Sequence, residues 1–161
     1  MSRNRTFTYD SGLLLSDGLT AQTASGNALV GGASQILNLG GGPPSTLGGP
    51  TEYGMFEAYL VVDITAIEIN TLSLYKLGWQ LSDSSTFASG VVEKATFLVG
   101  NTTALDAGAS TGVGRYVFMV DNSYPEGTLY QYARIYLTAS GTITTGIAYR
   151  AFLAPLMGAG G

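Results

Sequence analysis

The chain has 161 residues, enough for one domain whose core buries roughly 70% of the surface that the unfolded chain exposes. It contains neither histidine nor cysteine, which excludes imidazole-based catalysis, thiolate metal sites and disulfide cross-links within it. Only 11% of the residues are charged and the net charge is −4, so non-specific binding to nucleic acid is not expected. A surface so poor in charge must be rich in hydroxyl groups or be covered by partners.

Residues 1–50 predict a few short strands within an irregular portion rich in glycine and proline. The apolar run at 13–15 and weak alternation before it are typical of short strands. The stretch 40–50 excludes regular structure, and two interpretations of it stay open: an ordinary loop, or an arm that becomes ordered against a partner. The candidate protein-interface residues in this portion are Phe7, Tyr9, Pro43 and Pro44.

Residues 51–153 predict the main strands, and 154–161 a flexible tail. The clearest alternation lies in the run 72–82, where Tyr75, Leu77 and Trp79 share one face. Large aromatic side chains dominate protein cores, so Trp79 is predicted to be buried rather than to form a ligand platform. The predicted strands lie at residues 55–64, 72–82, 91–99, 114–121, 129–138 and 143–153.

The last three of these runs are joined by short connections, which predict an antiparallel meander as the spine of the fold. No amphipathic helical pattern accompanies them. Short strands with glycine-rich turns predict a single all-β domain: an antiparallel β-sandwich, a jelly roll or a barrel.

The run 129–138 has one apolar face and one face rich in tyrosine. The second face suits packing, an intersubunit contact, a protein hot spot or a carbohydrate platform. Packing or an interface is favoured, because the middle strand of a meander is seldom exposed over a whole face. Stacking of Arg134 between flanking tyrosines would be favourable in each case. The candidate interface residues here are Tyr130, Tyr132, Arg134 and Tyr136.

The eleven carboxylates are scattered along the chain. Glu57 and Asp63 would share a face of one strand but lie roughly 20 Å apart, too far for a glycosidase pair. The glycines at 40–42 precede two prolines instead of the Lys-Ser/Thr of a phosphate-binding loop. The sequence therefore predicts no catalytic residue, no cofactor and no metal site, and the protein is expected not to be an enzyme.

Six short patterns follow one another along residues 15–153. They are Leu-Ser-Asp at 15–17, Gln-Ile-Leu-Asn-Leu-Gly at 35–40, Leu-Ser-Asp-Ser at 81–84 with a phenylalanine at 87, Gly-Arg-Tyr-Val at 114–117, Tyr-Ala-Arg-Ile-Tyr-Leu-Thr at 132–138 and Ile-Ala-Tyr at 147–149. In their order and spacing they resemble the capsid cement (decoration) proteins of tailed bacteriophages. Residues 40–50 and 101–114 depart from that pattern as local elaborations.

The resemblance implies a jelly-roll structural protein of the virion, made in the host cytoplasm and placed on the capsid exterior. Its partner would be the major capsid protein, whose subunits it bridges, and it would form a homo-oligomer, with a dimer favoured over a trimer. No nucleic acid or membrane partner is expected, because the chain is acidic and has no apolar run of membrane-spanning length. Two other classes stay open: a carbohydrate-binding β-sandwich that uses Trp79 and the tyrosines, and a minor fibre or tail component.

Overall fold

The computed structural model describes residues 13–39, 56–101, 112–123 and 128–155. These ranges contain eleven β-strands and no helix long and apolar enough to cross a membrane. The strands are β1 (Leu14–Asp17), β2 (Gly26–Asn27), β3 (Leu29–Val30), β4 (Ala33–Ser34), β5 (Leu37–Asn38), β6 (Glu57–Ile67), β7 (Leu74–Ser82), β8 (Val92–Val99), β9 (Gly114–Asp121), β10 (Tyr132–Ser140) and β11 (Ile147–Pro155).

Two antiparallel sheets form the fold. Sheet A has the strand order β1–β11–β6–β9, and sheet B has the order β2–β10–β7–β8, with β5 also paired to β10. Strands β3 and β4 pair only with each other and form a separate two-stranded hairpin. One apolar cluster contains buried residues from both sheets, so the sheets pack face to face. The predicted all-β antiparallel sandwich is therefore confirmed.

The predicted three-strand meander is wrong. Strand β9 pairs with β6 in sheet A, β10 pairs with β7 in sheet B, and β11 pairs with β6 and β1 in sheet A. Among the long strands, only β7 and β8 are both consecutive and adjacent. Stacked sheets lie only about 10 Å apart, so a connection short enough for a hairpin also suffices to step from one sheet to the other.

The inner face of β7 forms the centre of the core. Tyr75, Leu77, Trp79 and Leu81 are all at most 3% exposed, as their alternation predicted. The indole Nε1 of Trp79 donates a hydrogen bond to the backbone oxygen of Asp121, at 2.9 Å. The single tryptophan thus packs between the sheets and also ties β7 to the end of β9.

Residues 154 and 155, predicted to belong to the flexible tail, are part of strand β11. Strand β11 continues to Pro155, which pairs with Ala58 of β6, and Ala154 is only 1% exposed. Ala154 belongs to a second apolar cluster on the opposite face of sheet A from the main core. Burial on both faces lets β11 extend further than its sequence indicates.

Candidate protein-interaction surface

The candidate site is the outer face of sheet B, and β10 shows how the sequence builds it. Ala133, Ile135 and Leu137 are at most 1% exposed and face the core. The alternate side chains point away from the core because successive residues of a strand face opposite sides of the sheet. Three of these outward side chains are half-buried: Tyr132, Arg134 and Tyr136.

The guanidinium of Arg134 contacts two aromatic rings. Its central carbon lies 4.1 Å from the ring centroid of Phe87 and 4.7 Å from that of Tyr136. The predicted stack between two tyrosines is therefore wrong for one of the two rings. Tyr136 does contact Arg134, but the second ring belongs to Phe87, in the segment that joins β7 to β8. The alternation of a strand places Tyr132 and Tyr136 on the same face as Arg134, but it does not show which ring from another segment also reaches that face. Such cation–π contacts are favourable, more so where water is excluded.

The backbone of Phe87 adopts a conformation that is unfavourable for a residue with a side chain. It is the one non-glycine residue with positive φ (56°) in the described ranges, and its side chain is buried. Its backbone nitrogen donates to the carbonyl of Ser84 at 3.0 Å. A left-handed conformation costs a non-glycine residue about 1–2 kcal/mol, so the surrounding packing must hold it. The ring is thus fixed beside Arg134 before any partner arrives.

A row of hydrogen-bonded polar side chains crosses sheet B and holds Arg134 in position. Arg134 donates from Nε to Oε1 of Gln80 and from Nη1 to Oδ1 of Asn27, both at 2.9 Å. Gln80 in turn donates from Nε2 to Oε2 of Glu93 at 3.1 Å, and Lys76 donates from Nζ to Oε1 of Glu93 at 2.7 Å. We call these five side chains the polar row. It joins β2, β10, β7 and β8.

Gly78 makes room for the polar row. It lies between Lys76 and Gln80 on β7, and a Cβ at this position would overlap the carboxylate of Glu93. Without a side chain at Gly78, Glu93 can lie across the sheet and reach both neighbours. A glycine within a well-alternating strand is a signal of such close approach, and the sequence interpretation missed it.

Among the described residues, Arg134 is the positive charge of this face for which no ion pair is found. None of the described carboxylates forms an ion pair with it, since Glu93 is bound to Lys76. Burial lowers the pKa of Arg134, an effect that Tyr136 partly opposes. The polar row therefore carries two positive charges and one negative charge, in a chain whose net charge is −4. The other described ion pairs join Lys94 to Asp121 and Arg115 to Asp63.

Tyr130 does not lie on the face predicted for it. It precedes β10, packs against the main core, and donates from its backbone nitrogen to the carbonyl of Asn122 at 2.8 Å. The period-two pattern that placed it beside Tyr132 applies only within a strand, and β10 begins at Tyr132. Tyr130 instead borders an open cleft of about 440 Å³. The other residues of this cleft are Asp83, Ser84, Ser89, Gly90, Val91 and Val92.

The remaining predicted residues fall elsewhere. Phe7, Tyr9, Pro43 and Pro44 lie outside the described residues. Trp79 is 1% exposed and cannot act as a platform for a ligand. Within the described ranges, no three acidic side chains come close enough to form a metal-binding group.

Comparison of the chain with protein-family models, with curated proteins and with solved structures finds no match in any of the three. The outer face of sheet B and the cleft beside Tyr130 are thus the features from which a function can be inferred.

The ion pairs of Glu93 and Asp121 predict that acid destabilises the fold. Burial raises the pKa of Glu93, but the hydrogen bonds from Lys76 and Gln80 outweigh it, so its pKa lies below the ordinary value of 4.5. For Asp121, the bonds from Lys94 and Ser123 outweigh burial in the same way and lower the pKa below 3.8. A depressed pKa contributes stability above the unfolded pKa, which is lost as pH falls through the folded pKa.

We expect the free energy of unfolding, measured by urea denaturation between pH 7 and pH 3, to fall once the pH drops below about 4.5. Glu93→Gln removes one of the carboxylates whose pKa is lowered in the folded state, so the loss of stability of this variant between these pH values should be smaller. The same pH dependence in both proteins would show that Glu93 is not ion-paired in the folded state.

Proposed function

We propose that this chain is a structural virion protein that cements a bacteriophage capsid from the outside by bridging subunits of the major capsid protein. The observation that carries the proposal is the ordered cluster of Arg134 with Phe87 and Tyr136 on the outer face of sheet B, where Tyr132 is also half-buried. Arginine and tyrosine are enriched among the residues that dominate binding energy at protein interfaces. A cluster held in place before binding loses less conformational entropy when a partner docks.

The connectivity of the sandwich supports the jelly-roll type that the resemblance to capsid cement proteins implies. Each sheet combines strands from the start, the middle and the end of the chain, in the orders β1–β11–β6–β9 and β2–β10–β7–β8. We infer that these eight strands form the two Greek keys of a jelly roll, an architecture used by viral capsid and lectin domains. The architecture alone does not assign a function, which rests on the surface of sheet B.

A bridging protein needs a second contact surface, and the outer face of sheet A supplies a candidate. Val117 and Met119 of β9 are exposed, Met119 by 69%, and they lie opposite Val61 and Tyr59 of β6. These neighbours belong to or pack on the second apolar cluster, so the exposed side chains extend an apolar surface. Contacts on two faces of one sandwich would let many copies bind a repeating shell with an affinity multiplied by valency.

Co-sedimentation with phage capsids tests the proposal. We expect the purified protein to sediment with expanded capsids and to stay in the supernatant with procapsids or when it is centrifuged alone. Capsids should come from a phage that encodes this chain, because the contacts are specific. Failure to sediment with expanded capsids would overturn the proposal.

The cleft beside Tyr130 favours a second candidate function, the binding of a carbohydrate. An aromatic ring next to Asp83 and two serines offers both a stacking surface and hydrogen-bonding groups. Trp79 plays no part in this candidate, since it is buried in the core. Calorimetric titration with mono- and oligosaccharides tests it: binding that disappears in Tyr130→Ala would support it, and the absence of heat with the unmodified protein would reject it.

A further inference from the structure

We infer that Arg134 binds the carboxylate of one aspartate or glutamate side chain of the capsid subunit that docks on sheet B. This inference rests on the proposed function, because it names the chemistry by which that partner is recognised. Three observations carry it: the N–H groups that Arg134 leaves unused, the direction from which they can be reached, and the charge around them.

The guanidinium retains hydrogen-bonding capacity. Of its five N–H groups, two donate to Gln80 and Asn27, which leaves three without an acceptor in the described part of the chain. Both acceptors are neutral amide oxygens, so they orient the group without neutralising it. A carboxylate can accept two parallel hydrogen bonds from a guanidinium, the strongest pairing that this group makes.

The aromatic rings direct a partner to the edge of the guanidinium. Phe87 follows the end of β7 that pairs with Tyr132, whereas Tyr136 lies on the other side of Arg134 along β10. Both rings lie over the central carbon of the guanidinium, at 4.1 Å and 4.7 Å, so they cover part of the group. The N–H groups lie in the guanidinium plane and point outward from its edge, which is where a carboxylate binds arginine.

The charge of the polar row selects a single carboxylate over a polyanion. Glu93 is already bound by Lys76 and Gln80, so Arg134 is the one charge of the row that remains to be compensated. A nucleic acid or another polyanion needs several neighbouring cations, and Glu93 would repel it. One side-chain carboxylate, set beside the half-buried Tyr136, matches both the single charge and the aromatic surroundings.

The first experiment uses the isolated protein and needs no capsid. The Nε–Hε resonance of Arg134 is followed by NMR during titration with N-acetyl-glutamate N-methylamide at neutral pH, and is assigned by its loss in Arg134→Lys. We expect a saturable shift with this probe and none with the glutamine analogue or with sodium chloride at equal ionic strength. An equal response to all three, or no response to any, would overturn the inference.

The second experiment compares capsid binding of the unmodified protein with that of Arg134→Gln and Arg134→Lys. The first substitution removes the positive charge, whereas the second keeps the charge but removes the planar guanidinium. We expect Arg134→Gln to weaken binding to expanded capsids by about 10-fold or more, and Arg134→Lys to recover only part of that loss, because a lysine lacks the planar fork that gives a carboxylate two parallel hydrogen bonds. Urea denaturation of both variants confirms that the fold is retained.

The outcomes separate the inference from the proposed function. Full binding by Arg134→Lys would show that only the positive charge matters, and no weakening by Arg134→Gln would show that Arg134 does not contact the capsid; either overturns the inference while cementing stands. A saturable NMR response without any capsid binding would overturn cementing and the capsid as partner. An Arg134-dependent dimer in analytical ultracentrifugation would show that a second copy occupies the site, which also overturns the inference.

Discussion

Replacing Trp79 by alanine is expected to lower the free energy of unfolding by about 3–5 kcal/mol. The side chain is 1% exposed and packs between the two sheets, so its removal leaves a cavity that the surrounding strands can fill only in part. The backbone oxygen of Asp121 also loses the hydrogen bond from the indole Nε1. Urea denaturation at pH 7, followed by circular dichroism, measures the change.

Trp79→Phe is the matched control for this effect. It keeps an aromatic ring in the core but removes the Nε1 donor, so we expect a smaller loss, of about 1–3 kcal/mol for the unsatisfied carbonyl and the reduced volume. A loss below about 1 kcal/mol for Trp79→Ala would contradict the burial of this face, since truncation of a buried aromatic residue is among the largest single effects on stability.

Gly141→Ala should produce the second large loss of stability, of at least about 2 kcal/mol. Gly141 follows the end of β10 and has a φ of 90°, a conformation that residues with a side chain rarely adopt. In addition, a Cβ at this position would overlap the backbone oxygen of Leu72, just before β7. Backbone atoms cannot rotate away as a side chain can, so β10 and β7 would have to shift at this end. Thermal and urea denaturation measure the loss.

Two other glycines separate the contributions to this effect. Gly31 also has a positive φ, 59°, but a Cβ there would meet open space, so Gly31→Ala measures the backbone conformation alone. Gly26 has neither constraint, and Gly26→Ala is expected to change stability by less than about 0.5 kcal/mol. The expected order of destabilisation is Gly141, Gly31 and Gly26; an equal loss at Gly141 and Gly31 would show that the end of β10 moves freely.

The sequence by itself determined which side chains of the long strands face the core. In β7 and β10, period-two alternation placed Trp79 and Ile135 inside and Arg134 outside, because the geometry of an extended chain sends successive side chains to opposite faces. Apolar runs bounded by turn residues located the six long strands to within a few residues. The alternation rule failed at Tyr130, which lies just before its strand begins and so is not bound by it.

Only the tertiary structure decided which strands pair and which residues gather around Arg134. The meander was wrong because a short connection does not reveal whether the next strand joins the same sheet or the facing one. Asn27 reaches Arg134 across 107 positions of sequence and Gln80 across 54, and Phe87 arrives from the segment between β7 and β8. Local patterns of polarity carry no information about such distant neighbours, since strand pairing is set by the packing of the whole sandwich.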